Sequence, residues 1–323
     1  MRLATFNLES LDLPPRAPRP LAERAAVLRP ALERLRADVV CLQEVNGQHV
    51  AGGSDRILAA LDTLLEGTPY AAFHRAATTA AGGHGVADVH NLVTLSRFPI
   101  VATREVRHHL LPPASVTLVT ADPPGVGPVQ VGFDRPLLVC DIDVAGTGLT
   151  VINLHLRAPL AALVPGQKLA PFVWRSVAGW AEGTYLAGLK RTGQALELRL
   201  VVDQLLSETP DRLVAVAGDF NAEDHETPLR IVVGAEEDTG NGALAARALA
   251  LLDRGFSADR RFSILHHGRP QMVDHILVSR ALLGRFKSIE VHNETLGDEL
   301  VGYAKVDRPP GSYHAAVVAT FAL

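Results

Sequence analysis

Asp219 and Asn221 stand two residues apart, directly after the apolar run Leu213-Val214-Ala215-Val216-Ala217 and Gly218. In an extended backbone, residues two apart point to the same side. A fixed carboxylate and a neutral amide leaving a core strand together suit a site that handles an anion and a metal. Taken alone, the same two residues are common turn formers. Five further apolar runs carry polar pairs at an end: Asn7 and Glu9, Gln43 and Glu44, Asn153 and His155, Asp274 and His275, Tyr313 and His314. Each pair read singly is equally a capped turn, a satisfied core histidine or a solvated rim carboxylate. Their recurrence along one chain is harder to assign to coincidence.

The elements that must carry these residues alternate between strand and helix. Apolar patterning predicts strands at 2–8, 38–44, 70–75, 90–96, 99–107, 136–143, 149–156, 212–218, 272–279, 285–292 and 313–321. It predicts helices at 21–36, 56–66 and 191–207, the first with Leu21, Ala25, Leu28, Leu32 and Leu35 at helical spacing. Pro30 inside that helix predicts a kink or a break. The pattern reads as one α/β domain over residues 1–323. Two irregular stretches interrupt it, 108–135 and 157–190. The second holds Trp174, Trp180 and Tyr185 and follows the polar strand end at Asn153 and His155, so it reads as an insert forming a lid or wall over the site.

Composition narrows the class. The chain has 323 residues, 47% hydrophobic and 20% charged, enough for a large core. No run of about 18 apolar residues occurs, so no membrane span is expected. The start lacks a basic segment followed by an apolar one, so a cytoplasmic location is expected. Cys41 and Cys140 lie inside apolar runs and read as buried reduced thiols; without a Cys-x-x-Cys pattern, a thiolate zinc site is not expected. A net charge of −4 gives no overall basic excess, which weakens a nucleic-acid reading without removing it.

The order of the motifs resembles the endonuclease/exonuclease/phosphatase superfamily from the first residues to the last. Its marks are Thr5-Phe6-Asn7-Leu8, Leu42-Gln43-Glu44-Val45, Leu95-Ser96-Arg97-Phe98-Pro99-Ile100, Asn153-Leu154-His155-Leu156, Gly218-Asp219-Phe220-Asn221, Asp274-His275-Ile276 and Ser312-Tyr313-His314. The resemblance implies a four-layer α/β/β/α sandwich with two packed, mostly antiparallel sheets and the site at one end. It also implies metal-dependent hydrolysis of phosphate esters, with Mg2+ (or Mn2+) as the cofactor. By similarity, Glu44 is the main metal ligand, with Asn7 beside it and Glu9 farther out. His314 is the general base or orients the attacking water, and Asp274 holds its ring. Asp219 orients the nucleophile or touches a second metal. Asn153, His155 and Asn221 donate to phosphate oxygens, and Asn91 lines the site. The family usually has Asp before the last His, where this chain has Tyr313. That departure points to one tightly held ion centred on Glu44.

Weaker signals read as surface features: His108-His109, His266-His267, the acidic run Glu236-Glu237-Asp238 and the pair Arg260-Arg261. The first functional reading is a nuclease or phosphodiesterase acting on a phosphate-ester substrate such as nucleic acid. The second is a phosphomonoesterase or lipid-headgroup hydrolase (inositol phosphate or sphingomyelin type), motivated by the acidic balance and the 157–190 insert. The third is a binding module without catalysis, motivated by Tyr313.

Overall fold

Strands whose two faces are both apolar must be covered on both sides, and that requirement sets the layers of this molecule. In β1 (Arg2–Leu11), Leu3 faces one core while Ala4 and Phe6 face another. In β2 (Val39–Val45), Val39 and Cys41 join Leu3, whereas Val40 and Leu42 join Phe6. The structure, a computed structural model, describes residues 1–13, 19–49, 53, 55–80, 82–235, 239–299 and 310–323. The acidic run at 236–238 lies outside the described residues.

The other main elements are α1 (Leu21–Leu35), α2 (Ala59–Leu65), β3 (His74–Ala77), β4 (Asn91–Ser96), β5 (Ile100–Val106), β6 (Leu137–Val144) and β7 (Thr147–His155). They continue as α3 (Val177–Glu208), β8 (Leu213–Asp219), α4 (Thr227–Val233), β9 (Ala250–Leu251), β10 (Asp274–Val278), β11 (Phe286–Val291) and β12 (Val317–Phe321). One sheet runs β11-β12-β1-β2-β4-β3 and the other β9-β10-β8-β7-β6-β5. Each has one parallel pair, β1 with β2 and β7 with β8, among antiparallel neighbours. Leu3, Cys41, Leu138, Cys140, Val151, Ala215 and Ile276 fill the layer between the sheets. Leu28, Leu32 and Leu61 from α1 and α2 cover the first sheet, and Leu198, Val202 and Leu229 from α3 and α4 cover the second. The result is the four-layer α/β/β/α sandwich.

Both thiols are free and buried in the middle layer, where burial pushes the Cys140 thiol up to about 11 and Cys41 higher still. Among the described residues, no helix is long and apolar enough to cross a membrane.

Several elements depart from the sequence expectation for local reasons. Pro30 does not break α1; it sits on the exposed face, where the carbonyl it leaves unbonded can meet water. The helix expected at 56–66 starts at Ala59, because Arg56–Ile57 pairs as a short strand with Gln48–His49. The strand expected at 70–75 is a 3-10 turn over Pro69–Ala72 followed by β3; the Tyr70 hydroxyl donates to Leu32 O and accepts from Ala37 N. The last strand begins at Val317, so Tyr313 and His314 precede it in a loop.

The largest difference is α3, expected at 191–207 and found over 32 residues from Val177. Ser176 caps it by accepting from Gly179 N at 2.9 Å. Glycines hid its first half from periodicity. A Cβ on Gly183 would lie 2.5 Å from Ala162 O and 2.8 Å from the Trp174 ring, so glycine is what lets the preceding loop lie against the helix. The irregular stretch therefore ends in helix, after a hairpin of Lys168–Ala170 with Val173–Trp174.

Candidate active site

The parallel strands end, and their antiparallel neighbours begin, at the same edge of the sandwich. In the second sheet, His155, Asp219 and Asp274 sit side by side in register on β7, β8 and β10. Pleat alternation from Ala217 and Ile276 in the middle layer turns all three toward the first sheet. Gly218 allows this row to form: a Cβ there would lie 2.1 Å from Leu154 O on β7.

From the first sheet, Leu3, Thr5 and Asn7 should share the inward face. The Asn7 amide does reach across, donating from Nδ2 to Asp219 Oδ2 at 3.0 Å and to Glu44 Oε1 at 3.1 Å. Glu44 gets there differently. Alternation from Val40 and Leu42 would send it to the helix side, but it adopts φ 58° at an irregularity in the β2–β4 pairing. Its carboxylate then swings inward. Glu9 and Ser10 are also left-handed, with φ of 52° and 51°, so that Ser10 N and Oγ donate to Glu44 Oε2 at 2.9 and 3.0 Å. Buried Arg24 of α1 holds this strained turn by donating to Leu8 O at 2.6 Å and Glu9 O at 2.9 Å.

Burial and charge set the protonation states. His314 Nδ1 lies 2.8 Å from Asp274 Oδ2. The carboxylate can only accept, so Nδ1 carries the proton and Nε2 faces Asp219 Oδ2 at 4.0 Å. Burial alone would lower His314, but Asp274 and Asp219 outweigh it and raise the ring well above the ordinary imidazole range. Asp219 is raised to about 7, first by burial and then by Asp274 and Glu44, against the pull of His314 and the Asn221 N–H. Glu44 is lowered: burial opposes ionisation, but His90, His314, Asn7 and Arg135 favour it. His155 Nε2 stands 3.3 Å from Asp219 Oδ2 and 3.8 Å from Glu44 Oε1. Its pKa falls well below the usual value because it is buried and faces Arg135, His90 and His314.

Of the residues singled out from sequence, Asn7, Glu44, His155, Asp219, Asp274 and His314 converge. Asn221 adjoins them with φ 48°, its N donating to Asp219 Oδ1 at 2.8 Å and its Nδ2 to Leu156 O at 3.1 Å. Three expectations need correction. Asn153 is no donor to phosphate: its Nδ2 bonds Leu42 O and Val93 O, and its Oδ1 accepts from Gln43, so the amide bolts the two sheets together. Asn91 is likewise spent, on Val45 O, Ala87 and Thr78. Asn221 Nδ2 is spent as well, on Leu156 O and on Asp219 Oδ2 at 3.2 Å. Two groups of side chains able to hold a cation stand among the described residues, Glu44–His90–His155 and Asp219–Asp274–His314; Glu9 belongs to neither but lies near enough to His314 to favour its charge. Tyr313 is buried with its ring against Gly297.

The sequence reading missed His90 and Arg135. His90, at φ 57° just before β4, places Nδ1 3.9 Å from Glu44 Oε2. Alternation from the inward-facing Leu92 would have pointed to it rather than to Asn91. Arg135 lies close enough to Glu44 and Asp219 for both to favour its charge, although burial works against it. Its signal was the charged pair Asp134-Arg135 opening an apolar strand, lost inside a stretch read as irregular. Of the pairs set aside as surface features, His108 is in fact held, bonding Leu111 O and Phe133 N and stacking on Phe133.

The donors around Glu44 are carboxylate oxygens and neutral imidazole nitrogens, a set that fits a divalent cation. The sequence profile of the Endonuclease/Exonuclease/phosphatase family matches residues 4–298. None of the curated proteins matches the chain by sequence. Among solved structures, it is similar to an endonuclease/exonuclease/phosphatase family protein from Leptotrichia buccalis C-1013-b, at 15% identity and TM-score 0.55 over all of both chains. It is similar to an AP endonuclease from Archaeoglobus fulgidus, at 14% identity and TM-score 0.51 over all of both chains. It is similar also to a mannosyl-6-phosphatase from Bacteroides thetaiotaomicron, at 14% identity and TM-score 0.57 over all of both chains.

Proposed function

The chain belongs to the endonuclease/exonuclease/phosphatase family, whose members are metal-dependent phosphoric ester hydrolases, and from that premise we propose that it cleaves phosphodiesters, with nucleic acid as the first substrate class. The observation that carries this reading is the chain of contacts Asp274–His314–Asp219, set beside Glu44 through the Asn7 amide. A base, its orienting carboxylate and a cation-holding carboxylate are what attack of water on a phosphate anion needs.

In this reading Asp274 holds the proton on His314 Nδ1, so that Nε2, once it has released its own proton, turns a lone pair to the site. His314 Nε2 takes the proton of the attacking water, and Asp219, 4.0 Å away, orients that water. Arg135 supplies positive charge and N–H donors to the phosphate oxygens. Asn7 keeps Glu44 and Asp219 at a fixed separation. A bound divalent cation, Mg2+ or Mn2+, supplies positive charge that offsets the charge gathering on phosphate and leaving oxygens.

A second reading, hydrolysis of a smaller or lipid-borne phosphate ester, draws support from the insert, which exposes Phe172 (82%), Val177 (80%) and Trp180 (48%). A panel of bis-nitrophenyl phosphate, plasmid DNA, RNA, inositol phosphates and sphingomyelin separates the two. Diester and nucleic-acid cleavage abolished by chelator and by Glu44→Gln supports the first reading. Full activity in Glu44→Gln overturns the assigned metal site, and turnover confined to inositol phosphates or sphingomyelin favours the second reading.

A further inference from the structure

Glu44 faces two imidazoles as well as oxygen donors. His155 Nε2 lies 3.8 Å from Glu44 Oε1, and His90 Nδ1 lies 3.9 Å from Glu44 Oε2. One ligand atom from each of the three residues falls within 4.8 Å of the others. These separations are too long for hydrogen bonds but shorter than two metal–ligand bonds of about 2.1 Å end to end, so a cation fits between each nitrogen and the carboxylate.

His90 is built into position rather than left on a mobile side chain. Its backbone N donates to Asn46 Oδ1 at 2.9 Å, and Asn46 Nδ2 donates in turn to Asp12 Oδ2 at 3.0 Å. Its Nδ1 is buried without a hydrogen-bond partner, although the side chain as a whole is partly exposed. Nothing in the hydrolytic scheme above uses this ring.

Resting on the metal-dependent reading above, we infer that His90 and His155 are direct ligands of the cation at Glu44, and that this two-histidine, one-carboxylate set selects a first-row transition-metal dication over Mg2+. Mg2+ favours oxygen donors and retained water, whereas imidazole nitrogen suits the later divalent ions of the first row. The remaining positions stay open to water and to phosphate oxygens.

The test uses the full chain stripped of metal with a chelator. Co2+ is titrated and followed by its visible absorption, with Mg2+ as competitor, and Mn2+ is examined by electron spin-echo spectroscopy for coupling to 14N. The expected result is nitrogen coupling in the wild type, no displacement of Co2+ by a roughly 100-fold excess of Mg2+, and a loss of Co2+ affinity of at least about tenfold in His90→Asn. Asparagine tolerates the left-handed backbone at this position, and the circular dichroism of the variant reports that it folds. Mn2+ bound without nitrogen coupling, or equal Co2+ affinity in His90→Asn, overturns the inference. If the wild type then still cleaves a diester in Mg2+, the proposed function stands without it. If neither cation binds and no phosphate ester is cleaved, both fall together.

Discussion

His314 concentrates the chemistry in one ring, because three carboxylates, Asp274, Asp219 and Glu9, raise its proton affinity while only one, Asp274, holds its geometry. Replacing His314 with Ala should lower kcat by about 10²–10⁴, read in a steady-state diester assay. Asp274→Asn separates the two effects of the carboxylate. It removes a charge that raises His314, so the acidic limb of the kcat/KM profile should move to lower pH while kcat falls. A limb that stays in place would argue that another group titrates there. At this scale the sequence was informative wherever a residue lay on the inward face of a regular strand, as with Asn7, His155, Asp219 and Asp274. It was silent where a left-handed residue redirects a side chain. Gln43 lies one pleat from Glu44 and points inward by rule, yet it bonds Asn153 and Thr5, and the irregularity brings Glu44 to the site instead.

Elements keep these side chains in register, so damage away from the reacting atoms should still reach them. Gly218→Ala forces a Cβ onto Leu154 O and should part β7 from β8 at the row His155–Asp219. A loss of about 1–3 kcal/mol in urea unfolding is expected, with a fall in kcat. Behind that row, His275 points the other way, its ring bonding Asp253 at 2.6 Å and Ala222 O at 2.9 Å, while Arg261 holds Asp253. Burial opposes charge on His275, but Asp253 and Ala222 O raise it, so the pair is a buried ion pair beneath the Asp219–Asn221 turn. His275→Leu leaves Asp253 short of a partner and should cost about 3–5 kcal/mol in the same assay. The polar pair Asp274 and His275 was visible in the sequence, but its division into one inward and one outward role was not. That division follows from which sheet face each occupies. The helix α3 was half-visible, since its apolar period holds only where it covers β6–β8 and gives way to glycine where the 162–174 segment lies against it.

For the whole molecule, the raised groups give stability a definite pH slope in the metal-free state. His275 and His314 sit above the ordinary imidazole value of 6.5, and Asp219 is raised from 3.8 to about 7. Each binds more protons folded than unfolded in its window, so each favours the fold at low pH and loses that contribution as pH rises through its folded pKa. His90, His155 and His292 are lowered, so their opposing contribution grows as pH rises and is complete only about one unit above the unfolded value of 6.5. Above about pH 7.5 the slope should therefore be downward, and chelator-treated protein should melt lower at about pH 9 than at about pH 7.5. Saturating cation should reverse that loss, adding about 2.7 kcal/mol at 100 times its Kd. A Tm that rises over that interval in the chelated protein would contradict the assignment of these groups. The fold class was readable at this scale because strands apolar on both faces need cover on both sides. The depth of the site was not, because it comes from two sheets meeting at one edge.

Cys41 and Cys140 sit in the layer that separates the two sheets, out of reach of solvent. A thiol reagent can find them only when the halves of the sandwich come apart, so their labelling rate works as an internal clock for that parting. Asn7 and Asn153 clasp the same halves at the catalytic rim. The clock should run fast in Asn153→Ala and slow when cation is added, without any dye or tag being attached to the chain.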